Sequence, residues 1–428
     1  MKNKEIDRDD ANEHRFDAII IQSNKRPQLD RTPVFKPGQI FYGKVRYIDP
    51  SNHAIIQIGG EKIIANIEAP LDVRKDYWFE VVKTDGTIQL KVLDNISNND
   101  AFLSFLHLPK TKLMNEFLQQ WKQMNFSFER NVLTKVADWI NQVNDIQKVL
   151  EIVQQMDKHN LPMTDVVFQS LLSMKSSPPL SVLIENLYQQ LNQDSQAKNL
   201  PIFQTLQHLL GKDDPNIAFS LNGSDGNKIH QLFRQLNTLL GMNYEALING
   251  AEMKNLPLKG QLIQLLTMDG LPLPVKKEAE QLFHKIIGTQ LVNFESNGLL
   301  QMTLSLPLPL AEKVIDVNIH WRGKKTEDGK LDPNFCLIIF DLQMPSLGKI
   351  VSRMQVQNRT INLYIFCEDD KIEHLSQPFV DLLKENLKKL NYQLAAIKFE
   401  KIDANRQTNS GEQNLIPPVQ SGSLDVRI

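Results

Sequence analysis

Two cysteines in 428 residues, Cys336 and Cys367, are too few and too far apart for a disulfide framework or a paired metal motif. Both are read as small buried residues on strands. A long apolar run is also missing. No stretch supplies the roughly 20 apolar residues that a membrane-spanning helix needs, and Met1 to Asp10 lacks the apolar core of a secretory signal. The expected location is therefore cytoplasmic, without membrane insertion. Excess charge of either sign is absent too, with 48 Lys and Arg against 50 Asp and Glu, which removes the usual electrostatic ground for a nucleic-acid or anionic-membrane partner.

The motifs of common catalysts are missing as well. The Gly-Lys pairs at 43–44, 211–212, 323–324 and 348–349 lack the Ser or Thr that would hold magnesium in a phosphate loop. There is no His-Glu-x-x-His helix, zinc cluster, Gly-x-Ser-x-Gly elbow or glycine-rich dinucleotide turn. Ser224 and Asp225 sit together in a Gly-rich stretch that reads as a loop with an Asx turn. His320, between Ile319 and Trp321 on an expected strand, reads as structural. Glu368, Asp369 and Asp370 have the oxygen chemistry of a cation site. Their position directly before a helix at Lys371 is explained instead by attraction to its positive end. No enzyme, cofactor or metal is expected.

What is present divides the chain. Residues 1–36 mix charges with Asn, Gln and Pro and read as a flexible arm. From Gln39 to Leu93, short strand-like runs are broken at Asp49-Pro50, Gly59-Gly60, Ala69-Pro70 and Asp85-Gly86. Ile63, Ala65 and Ile67 alternate with Ile64, Asn66 and Glu68, as when one sheet face is buried. Five strands in this space suggest a small barrel of the OB or SH3-like kind, spanning 37–97. Such barrels bind nucleic-acid strands on aromatic platforms, and Tyr42, Tyr47, Tyr77, Trp78 and Phe79 are candidates. Seven basic residues against seven acidic ones between Pro37 and Leu93 leave no net field for phosphate, so this is the secondary reading.

Helical spacing fills 98–290, with roughly nine to eleven helices between Pro and Gly breaks. Leu183, Leu187 and Leu191 mark one core stripe, and Val132, Leu133, Val136 and Trp139 mark another. Strand patterns return in 291–402 at Leu299 to Leu306, Val314 to Trp321, Cys336 to Leu342, Lys349 to Gln357 and Thr360 to Cys367. A helix over 371–390 then presents Ile372, Leu375, Phe379, Leu382, Leu383, Leu387 and Leu390 on one face, expected to pack on the sheet before a last strand at Gln393 to Phe399. Residues 403–428 read as a disordered tail. The expected fold class is α+β and multi-domain, with a small N-terminal β-barrel, a central all-α domain, and a C-terminal α/β sheet domain with one main helix packed on it.

The segment Leu342-Gln-Met-Pro345-Ser-Leu347-Gly348-Lys-Ile350, followed by a strand pair, one amphipathic helix and a short strand, resembles the C-terminal domain of flagellar hook-length control proteins. Leu240-Gly241-Met-Asn-Tyr-Glu245 and Gln290-Leu291-Val-Asn293 resemble segments of the folded members from Gram-positive bacteria, as does the barrel. The resemblance implies a non-catalytic protein that contacts the cytoplasmic domain of the type III export-switch protein and changes the exported substrate class. Pro345, Leu347 and Gly348 are the partner-binding candidates it points to. Well-known members carry a long disordered N-terminal half that measures the hook. Here folded segments stand in its place, so the docking role carries over and the measuring role does not.

Overall fold

The computed structural model describes residues 35–402 apart from 52, 59–60, 68, 85–87, 94–97, 125–126, 213–225, 246–255, 297, 311–312, 327–328 and 370. The expected arm, the tail and the Ser224-Asp225 loop lie outside the described residues. Two compact units, 1–150 and 151–428, divide the chain.

In the first unit, β1 (Gln39–Ile48), β2 (His53–Ile58), β3 (Glu61–Ile67), β4 (Asp76–Lys83) and β5 (Ile88–Val92) close a barrel in the order β1-β2-β3-β5-β4-β1. The β3–β5 pair is parallel and the others antiparallel, the connectivity of an OB barrel. Alternation sets the interior. Ile63, Ala65 and Ile67 are buried while Ile64 is exposed. At Asp49-Pro50 the turn is shaped by the Asp49 carboxylate, whose Oδ1 accepts from the N–H groups of Ser51 and His53, each at 2.8 Å.

Strands β1 and β4 are buried on both faces, because Ile40 beside Phe41 and Trp78 beside Phe79 are all nearly inaccessible. Their outer face is covered by α1 (Asn99–Phe105), α2 (Lys112–Met124), the two-residue β6 (Phe128–Glu129) paired with β1, and α3 (Arg130–Val143). Aromatic packing ties the layers together. Trp78 stacks on Phe102 of α1 with centroids 3.8 Å apart and planes 9° from parallel, and Trp121 of α2 meets Phe128 at 5.2 Å.

The division between units falls inside α4 (Ile146–Lys158). The expected helical region over 98–290 is helical, and the division passes through it. Helices α1 to α3 belong with the barrel. Those after α4, namely α5 (Asp165–Ser176), α6 (Leu180–Asn192), α7 (Pro201–Leu209), α8 (Gly226–Leu240), α9 (Leu258–Leu266) and α10 (Leu273–Leu291), belong with the sheet. The physical reason is a shared core: Leu183, Leu187, Leu206, Leu262, Leu282 and Ile286 of the helices pack in one cluster with Leu306, Leu308, Ile315, Val317 and Ile319 of the strands. Of the stripes read from the sequence, Leu183, Leu187 and Leu191 are buried, as are Leu133, Val136 and Trp139, while Val132 is half-buried.

The sheet runs β7 (Phe294–Ser296), β8 (Leu299–Leu310), β9 (Lys313–Lys325), β10 (Leu331–Met344), β11 (Gly348–Gln357), β12 (Thr360–Cys367) and β13 (Gln393–Lys401), in chain order across seven strands. Every pair is antiparallel except β12–β13, which is parallel and connected through α11 (Lys371–Lys389). Cys336 on β10 and Cys367 on β12 are buried free thiols.

Helix α11 departs from expectation. Only Ile372 of its apolar face is fully buried, and Leu387 packs on the small cluster of Cys336, Val356 and Ile361. Leu375, Phe379, Leu382, Leu383 and Leu390 are exposed. The helix buries Ile372 near its start and packs Leu387 on that cluster, while the rest of its apolar face stays uncovered. Periodicity identifies an apolar face but says nothing about how far round it a neighbour reaches.

Candidate functional site

Pro345, Ser346 and Leu347 form the hairpin turn between β10 and β11, where Met344 pairs with Gly348. Pro345 and Ser346 are exposed and Leu347 is half-buried. Gly348 has φ +71°, a left-handed conformation that favours glycine. A second constraint acts on it. A Cβ here would fall where the Glu368 carboxylate sits, and that carboxylate accepts the Lys349 N–H at 3.1 Å. Glu368 thus ties the turn to the segment between β12 and α11. The Lys349 ammonium reaches Asp341 at 3.3 Å, clasping the base of the hairpin from the other strand.

The acidic run before α11 is already committed. Glu368 serves the turn, and Asp369 accepts the Lys371 N–H at 2.9 Å at the start of the helix; Asp370 lies outside the described residues. Among the described residues no group of three His, Cys, Asp or Glu is placed to hold a metal ion. His320 lies 3.1 Å from Thr303 Oγ1 within the β8–β9 pair.

The two further segments of the resemblance meet in space. Lys259, 4% exposed at the start of α9, pairs with the Glu245 carboxylate and donates to Gln290 Oε1 at 2.5 Å, while Gln290 Nε2 donates to the Met242 carbonyl at 2.7 Å. Burial, the largest single influence, raises the Glu245 carboxyl, but the hydrogen bond and charge of Lys259, with hydrogen bonds from the backbone and Gln290, together hold it below its ordinary range. Gly241, at φ +84° after α8, leaves room for the Lys259 stem and Pro257. This cluster is a clamp between three helix ends, and the sequence alone had no sign of Lys259.

The barrel aromatics are placed differently from a stacking platform. Trp78 and Phe79 are buried, Tyr42 packs edge-on against Trp78 at 5.0 Å, and the Tyr77 hydroxyl accepts the Asp72 N–H at 3.0 Å. Tyr47 is exposed. The Lys122 ammonium lies over Tyr42 at 4.6 Å, and burial lowers its pKa.

A serine and a histidine do approach each other at the α5–α10 crossing. Ser170 Oγ is 3.1 Å from His284 Nδ1, but Ser170 has no accessible surface and so no route for a substrate. Burial lowers the His284 pKa, against the pull of Glu280. The unfolded chain therefore takes up this proton first as pH falls, and stability is lost below the unfolded value of about 6.5. Thermal melts between pH 8 and pH 5.5 are expected to show a falling midpoint, with a shallower fall in His284→Gln. Equal slopes would remove His284 as the cause.

No helix among the described residues is long and apolar enough to cross a membrane. No known family profile matches the chain, and no solved structure does. A stretch of 155 residues is 32% identical to the "Uncharacterized protein YlqG" of Bacillus subtilis (strain 168), taking in 36% of this chain and 27% of that protein. The chain thus matches about a quarter of this relative's length.

Proposed function

We propose that the C-terminal sheet with α11 is a non-catalytic docking module whose partner is the cytoplasmic domain of a type III export-switch protein. Binding there influences which substrates are exported. The observation that supports this reading is the turn Pro345–Leu347, in which exposed Pro345 and Ser346 and half-buried Leu347 sit on a backbone fixed by Gly348 and Glu368. A tip held in one conformation before binding loses little entropy on binding, which favours recognition by a compact contact. The partner class comes from the resemblance of the 342–350 segment to hook-length control proteins.

Calorimetric titration of the full chain with the purified export-switch cytoplasmic domain tests it. Binding is expected, with Leu347→Asp weakening it at least about tenfold, the scale of one lost apolar contact plus a desolvated charge. Leu347 is half-buried in a turn, so the melting temperature of the variant is measured alongside. Absence of binding by the wild-type chain would remove the reading.

A further inference from the structure

Among the described residues of the second unit, α11 gathers more exposed large apolar side chains than any other element. Leu375 is 58% exposed, Phe379 64%, Leu382 54%, Leu383 36% and Leu390 65%. With successive residues turned by about 100°, these five fall within one arc of roughly 100°, and Asn386 is the polar residue among them. The charged pair Asp381–Lys384, 3.6 Å apart, lies on the opposite side of the helix. The strip itself carries no charge to recognise a charged partner.

Its spacing is symmetric. Leu375 and Leu390 are equally far from the midpoint between Leu382 and Leu383, and those two flank it. An antiparallel second copy related by a two-fold axis would set Leu375 against Leu390 and Leu382 against Leu383, with Phe379 beside Asn386. An isologous interface requires this correspondence, in which residue i meets j and j meets i. The exposed side chains offer roughly 500 Å² of apolar surface per copy, or about 1,000 Å² for a pair, at the lower end of specific interfaces. From this symmetry and area we infer that α11 pairs antiparallel with α11 of a second copy, making the protein a weak two-fold dimer. The inference stands apart from the export-switch proposal, which uses the β10–β11 turn.

Sedimentation equilibrium of the full chain from about 1 to 100 μM is expected to show mass rising from monomer to dimer, as small interfaces give modest affinity. Leu382→Asp should remain monomeric. Should that variant not fold, a cysteine pair gives a second readout, because Cys336 and Cys367 are 9% and 3% exposed and stay out of the reaction. Under mild oxidation, Leu382→Cys is expected to form a covalent dimer at least about tenfold faster than Asp381→Cys, which faces away from the axis. Three results would overturn the inference: a wild-type monomer throughout, equal cross-linking at both positions, or a monomer in which Leu382→Asp abolishes export-switch binding, which would give the strip to that partner.

Discussion

Gly288→Ala is expected to destabilise the second unit by about 3 kcal/mol or more, read as a lower urea midpoint at unchanged slope. Helix propensity alone gives the opposite sign, since replacing a helical glycine with alanine ordinarily stabilises by about 0.5–1 kcal/mol. Geometry decides between them. A Cβ on Gly288 of α10 would run into the Ser170 carbonyl oxygen of α5 and stand 2.7 Å from Met174 Cγ. One of these obstacles is backbone, so the two helices must move apart. Along the same seam Thr289 is buried, Lys285 approaches the Ser173 carbonyl at 3.5 Å, and Ser170 is fully enclosed. Separation would loosen all of them together. A stabilised variant would show that the helices are not in close contact at this point.

Trp78→Ala carries the other large effect, an expected loss of about 3–5 kcal/mol from the first unit, measured as a lower thermal midpoint. The indole is 4% exposed and joins two layers, stacked on Phe102 from α1 and met edge-on by Tyr42 from β1. Removing it opens a space that surrounding strands and helices cannot close without breaking barrel register. The result also bears on the reading of the barrel as a binder of nucleic-acid strands. If Trp78 were a stacking platform, the alanine variant would keep its melting temperature and lose salt-dependent retention on single-stranded DNA. That outcome would restore the nucleic-acid reading and count against a purely structural Trp78.

Much of the architecture was legible in the residues. Alternation at Ile63, Ala65 and Ile67 located a barrel strand, and the leucines at 183, 187 and 191 located a helix face, because burial of one face leaves a period in the chain. The unit boundary was not legible. Helices that cover the barrel and helices that cover the sheet have the same period, and only the long-range packing of Leu282 and Ile286 with Val317 and Ile319 separates them. The same limit explains Trp78, since an aromatic on a strand reads alike whether it faces a ligand or a helix. At the candidate site, the positive φ of Gly348 suits a glycine after a turn, whereas its second reason, the Glu368 carboxylate, comes from 20 residues further on and could not be inferred locally. The outward turn of α11 was hidden for a related cause: seven apolar positions on one face leave no mark of which ones find a neighbour.

The parallel pairing of β13 with β12 has a bearing on how the chain stays dispersed. Thr360-Ile-Asn-Leu-Tyr-Ile-Phe-Cys367 is a run of eight residues with no charge, proline or glycine, the composition that stacks most readily between molecules. Because β13 hydrogen-bonds along it from Thr360 to Cys367, that run is an interior strand, and the margin of the sheet is handed to Gln393–Lys401, where Lys398, Glu400 and Lys401 sit as gatekeepers. The last strand is thus a charged hem stitched onto an otherwise sticky border.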